Sequence, residues 1–170
     1  MPKNPDLATA LDAPASALDA DEQRFVEQIR DKGWFHTAVF ADDEGPGFSY
    51  TTGLWVNHGF PEILVFALRQ ETAHAVLGGI YDDIAAGKPP PVGAITDTIF
   101  KNGPALLLPM AKSHYADYLG WNLWFHGNAD FPCLQLFWPD KAGLLPGQPG
   151  ADESLHALQP VLTEPADGSH

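Results

Sequence analysis

The apolar positions of the chain fall into short runs with clear breaks, and the runs change period. Phe25, Val26 and Ile29 recur at helical spacing behind Asp19 and Asp21, either of which can cap a helix, and Gly33 can close it. Residues 34–41 (WFHTAVFA) alternate loosely and predict a strand, followed by a turn over 42–47. Two more strands are predicted at 48–55 and 62–68; the second is apolar on both faces, as a central strand covered on both sides would be. Residues 70–86 predict a helix with Ala73, Val76, Leu77, Ile80 and Ile84 on one stripe and Gly87 just past its end. Lys88 and the three prolines after it form a rigid connector.

In the second half, runs at 95–101 and 104–109 flank Asn102-Gly103, a pair that supplies the positive φ angles of a tight hairpin. Ser113 can cap a short helix through Leu119, with Gly120 closing it. Residues 121–126, a loop at 127–130 and residues 133–138 predict a strand, loop and strand. The tail carries many Pro, Gly and acidic residues, with one short helical turn at 153–158. The expected organisation is a mobile arm at 1–18, a single α+β domain at 19–147 and an irregular tail at 148–170. The sheet should be mainly antiparallel or mixed, with curling into a partial barrel as one form of it, and two to three helices should pack on it.

Several of these residues form blocks. Tyr50-Thr51-Thr52-Gly53-Leu54, then Pro61-Glu62-Ile63, then Glu71-Thr72-Ala73 opening a helix stand in one order. Tyr118-Leu119-Gly120, Phe131 to Leu136 and Trp138-Pro139-Asp140 make a second block. Together they resemble the signature of the family catalogued as domain of unknown function 4262, over roughly residues 33–147. The resemblance implies no activity and carries over no catalytic residue. Gly147-Gln148 departs from the aromatic tip of that signature.

Composition narrows the function. The 170 residues carry a formal charge of −13, and nine Lys and Arg scattered along the chain cannot build a phosphate-binding stripe, so nucleic acid is not an expected partner. An anionic membrane surface is disfavoured for the same reason, and no apolar run approaches the ~18 residues of a membrane span. The single cysteine, Cys133, allows no internal disulfide and fits a reducing, cytoplasmic setting. It follows Phe131-Pro132 and precedes an apolar strand, so it is expected as a small core residue. Acidic residues concentrate in the first 31 positions and the tail, which weakens but does not remove an alternative function as an acidic protein-binding module of immunity or inhibitor type.

The favoured expectation is a small-molecule-binding or enzymatic domain with a pocket near residues 50–62. His58 and Glu62 bracket a turn and are candidates for an imidazole–carboxylate pair; the alternative is that Glu62 satisfies backbone amides at the turn. Tyr50, Thr51, Thr52, Gly53 and Trp55 are candidate ligand contacts, since a glycine within a strand admits a ligand or another backbone, or marks a bulge. His126 and Asp130, in the later loop, and Gln135, an amide in an apolar strand, complete the candidates. A Thr-Gly strand followed by an apolar strand, with abundant aromatics, is similar to flavin-binding split barrels, which makes flavin the cofactor to test. The usual nucleotide cradles are absent. Seven histidines contain no HExxH and no i,i+4 pair, so no metal site is expected unless His36, His58 and His126 converge in space.

Overall fold

Asp19 caps the first helix by a reciprocal box: its carboxylate accepts from the amide of Glu22, and the Glu22 side chain accepts from the amide of Asp19. The computed structural model describes residues 9–43, 45–100 and 103–163. Helix α1 spans Ala20–Lys32, and Gly33 closes it with a φ of 91°. Strands β1 (Phe35–Val39), β2 (Phe48–Thr52) and β3 (Glu62–Phe66) follow, then β4 (Thr96–Phe100), β5 (Gly103–Pro109) and β6 (Cys133–Phe137). They form one six-stranded sheet in the order β1-β2-β3-β6-β5-β4. Every neighbouring pair is antiparallel except β3 with β6, which is parallel. The sheet is therefore mixed, as expected, but open: β1 and β4 sit at opposite edges, and no barrel forms.

The alternation of β3 explains its continuous apolar run. Ile63 and Val65 face helix α3 (Gln70–Ala85), where Ala73, Leu77, Ile80 and Ile84 meet Leu107, Leu134 and Leu136. Val76 of the expected stripe packs on the same core but is only partly buried. Leu64 and Phe66 face the other way, against Tyr50, Tyr115, Leu119 and Phe131. Each fully buried Leu, Ile or Phe contributes about 1.5–3 kcal/mol, so two covered faces hold the sheet between helical layers.

Among the described residues there are six α-helices rather than two or three. Helix α2 (Leu54–His58) begins where the predicted second strand was to continue to residue 55. Gly53, with φ 121°, turns the chain out of β2 and into it. Helix α4 (Tyr115–Tyr118) matches the short helix expected after Ser113. Helix α5 (Gly120–His126) replaces the strand predicted at 121–126. Its buried residues Asn122, Phe125 and His126 follow i, i+3, i+4 spacing, and Trp121 stacks on Phe25 of α1 with ring centroids 4.6 Å apart. Packing against α1 overrides the strand preference of its aromatics. Helix α6 (Ser154–Leu158) is the short tail helix.

β4 and β5 pair antiparallel with Phe100 opposite Gly103, and the connection at 101–102 lies outside the described residues. Residues 10–12 and 15–17 form 3-10 turns beside α1, held by Gln23 Nε2 donating to the carbonyls of Ala15 and Leu18. The tail beyond α6 lies along β6: the amide of Leu162 donates to Gln135 Oε1, and Met110 bridges to Thr163. Among the described residues, no helix is long and apolar enough to cross a membrane.

Candidate functional site

Glu62 opens β3 and is completely buried. Its carboxylate accepts four hydrogen bonds, from Thr51 Oγ1 at 2.8 Å and from the amides of Gly53, Leu54 and Trp55 at 3.0, 3.2 and 3.3 Å. These amides are the first donors of α2, which has no cap from its own N-cap residue, so a side chain from the next strand caps the helix. Burial raises the Glu62 carboxyl to about 7, against the opposing pull of the four donors. Thr51 Oγ1 also accepts from the amide of Ile63, which ties β2 to β3.

The remaining residues of the segment join the same interior network. Thr52 Oγ1 donates to Asn122 Oδ1, and Asn122 Nδ2 donates to the carbonyl of Thr51. Tyr50 is buried and its hydroxyl accepts from the amide of Trp121. Gly53 is a close backbone approach rather than a bulge: a Cβ there would lie 2.5 Å from the carbonyl oxygen of Gly33 and 2.9 Å from Trp34 Cα. The backbone amides of the candidate ligand contacts Gly53 and Trp55, and that of Leu54 between them, are held by Glu62. Thus Tyr50, Thr51, Thr52, Gly53 and the backbone of Trp55 meet one another, β1 and α5.

His58 goes elsewhere. It ends α2, and its Nε2 lies 3.0 Å from the hydroxyl of Tyr81 on α3, while Glu62 has the partners given above; no hydrogen bond joins His58 to Glu62. Burial lowers the His58 pKa and raises that of Tyr81, so the pair is neutral at neutral pH. The pair borders a cleft of about 440 Å³ lined also by Leu11, Ile29, Arg30, Gly33 and Asn57. Gly33 shapes it: a Cβ at this position would stand 1.8 Å from the Tyr81 hydroxyl. Asn57 Nδ2 donates to the Gly33 carbonyl, and an Arg30 Nη2 donates to that of Leu11. Among the described residues lining the cleft, Arg30 is the one with a full charge at neutral pH.

His36, His58 and His126 do not converge on one another. His36 Nδ1 lies 3.1 Å from His74 Nδ1 on the face of Trp34, whereas His126 stacks on Phe131 at 4.6 Å. Burial pushes the His126 imidazole down to about 4. Among the described residues no group of three or more His, Cys, Asp or Glu is arranged to hold a metal ion. Asp130 is exposed, and its amide donates to Asn128 Oδ1. Both ends of the Gln135 amide are used by the tail, Nε2 donating to the carbonyl of Pro160 at 2.6 Å and Oε1 accepting from Leu162. Cys133 is buried, and burial pushes its thiol well above the usual range.

Arg30, Asn57 and Tyr81 were not among the sequence candidates. Arg30 and Tyr81 lie on helix surfaces far from residue 58 in sequence, and only the packing of α1 and α3 around β1 brings them to it. Asn57 carried a usable signal, since it directly precedes a candidate histidine in a turn bracketed by glycines.

A family model described as "Domain of unknown function (DUF4262)" matches residues 28–152. No curated protein and no solved structure matches the chain.

Proposed function

We propose that this chain, which belongs to the DUF4262 family, is a small-molecule-binding domain whose site is the cleft at the end of the 50–62 segment. Its ligand carries an anionic group that meets Arg30, and a polar group that meets the His58–Tyr81 pair. The observation that carries this reading is the 3.0 Å contact between a neutral imidazole and a phenol at the edge of a cleft that also holds Arg30. The volume, about 440 Å³, suits a metabolite-sized ligand. Asn57, with its amide fixed to Gly33, adds a neutral polar group to the lining and Ile29 an apolar one. In an enzymatic form of the same reading, His58 exchanges a proton with the ligand and Tyr81 holds the ring in place.

Amide-resolved NMR titration with inorganic phosphate and with citrate tests this. Saturable shifts centred on Arg30, Asn57, His58 and Tyr81 are expected, weakened about tenfold in Arg30→Gln, as loss of one charge-assisted contact would give. Absence of saturable shifts with both anions, or binding unchanged by Arg30→Gln, would overturn the reading.

A further inference from the structure

At the other end of the β2–β3 pair, where Phe48 lies opposite Phe66, a separate cleft of about 490 Å³ opens. Its lining combines aromatic rings with carboxylates: Phe48, Phe66 and Tyr118 together with Asp42 and Asp117. Among the described lining residues there is no Lys, Arg or His. This inverts the polarity of the Arg30 cleft.

The rings are held in fixed orientations. Tyr118 and Phe48 form an edge-to-face pair, with centroids 5.2 Å apart and planes at 72°, and Tyr118 and Phe66 form another at 5.6 Å and 88°. Phe66 is 1% exposed, and Phe48 stacks at 6.2 Å on Tyr50, whose hydroxyl is bound to the Trp121 amide. Near-perpendicular rings present a π face next to a ring edge, and the face carries partial negative charge. A cation against such a face is attracted by the ring quadrupole, and more strongly where the wall excludes water. Carboxylates in the lining add a second attraction of the same sign, within a molecule whose formal charge is −13.

From this combination, we infer that the Phe48–Phe66–Tyr118 cleft binds a small organic cation, an alkylammonium group on an apolar body. The ammonium head faces Tyr118 and Asp117, and the apolar body lies along Phe48 and Pro160. A bare metal ion is a poorer guest, since two carboxylates fall short of the roughly six to eight oxygen ligands that a hard divalent ion takes, and the aromatic and proline walls add none. The site is independent of the one proposed above, shares no lining residue with it, and can fail or stand alone.

The test uses choline and its uncharged isostere 3,3-dimethylbutan-1-ol, titrated into the full chain at constant ionic strength and followed by amide-resolved NMR. Choline is expected to give saturable shifts at Phe48, Phe66 and Tyr118, with the isostere about tenfold weaker. Asp117 is exposed, so Asp117→Asn should fold normally and weaken choline while leaving the isostere unchanged. Equal binding of the two probes would show an apolar pocket with no preference for charge and would overturn the inference. So would non-saturable binding, or shifts centred on another surface.

Discussion

Glu62 and His126 are buried titratable groups displaced in opposite senses, and their linkage to folding can be measured. Glu62 lies at about 7 in the folded chain against an ordinary 4.5. Between those values the folded state binds more protons than the unfolded one, so stability falls as pH rises. The contribution is fully present below 4.5 and lost as pH passes 7; its size is about 3 kcal/mol. His126 lies at about 4 against 6.5. Here the unfolded state binds more protons, so the contribution, again about 3 kcal/mol, is present above 6.5 and lost as pH falls through 4. The two slopes oppose each other where their windows overlap, between 4.5 and 6.5, and flatten the profile of the intact protein there. Glu62→Gln removes one of them and His126→Gln the other. Urea unfolding at intervals from pH 4.5 to 8 gives the stability of each variant relative to the parent, a difference in which all other groups cancel. The advantage of the parent over Glu62→Gln should shrink by about 3 kcal/mol as pH rises, while its advantage over His126→Gln should grow by a similar amount. A difference for Glu62→Gln that stays constant with pH would refute the reasoning. It would mean that the four donors hold the carboxylate ionised throughout, and that burial is fully offset by the helix terminus.

Three further outcomes follow from the same packing. Gly53→Ala should destabilise by about 3 kcal/mol or more in thermal melts, because its Cβ meets backbone atoms that cannot rotate away, whereas Gly59→Ala, with open space around it, should lose only about 1 kcal/mol. Asn122→Ala should lower stability by about 2–4 kcal/mol, since it strips partners from Thr51 and Thr52 inside the fold; a neutral result would show that β2 does not depend on α5. Cys133 should resist iodoacetamide at pH 8 in the folded chain and react promptly in urea, and rapid labelling without denaturant would contradict its burial.

Much of the fold was legible because local signals and burial agreed. Asp19, one of the two caps the sequence offered, and Gly33 at the end bounded α1; the double-faced apolar run within 62–68 marked a central strand; and the stripe from Ala73 to Ile84 placed α3. The failures share a cause. Trp121, Trp124 and Phe125 favour strands by type, and only contact with Phe25 makes them helical; Gly127, with φ 73°, was the overlooked stop signal. The site was legible only in part. Glu62 as a satisfier of turn amides was among the readings of the sequence, but the amides belong to a five-residue helix too short to show a period. The partner of His58 could not be read, because Tyr81 reaches it from the middle of α3 over Gly33, a contact between three separate elements.

The strand order has a kinetic meaning. β1, β2 and β3 form one antiparallel unit from consecutive strands, β4, β5 and β6 form another, and a single parallel pairing of Glu62 with Cys133 through Val65 with Leu136 joins them. Each unit can assemble from contacts close in sequence. The seam cannot, since it closes the longest loop in the sheet before any of its hydrogen bonds is gained. Pairing at the seam should then be the slow step of folding. Truncating Leu64 or Leu134 at the seam should slow folding, whereas truncating Val39 at the outer edge should mainly hasten unfolding.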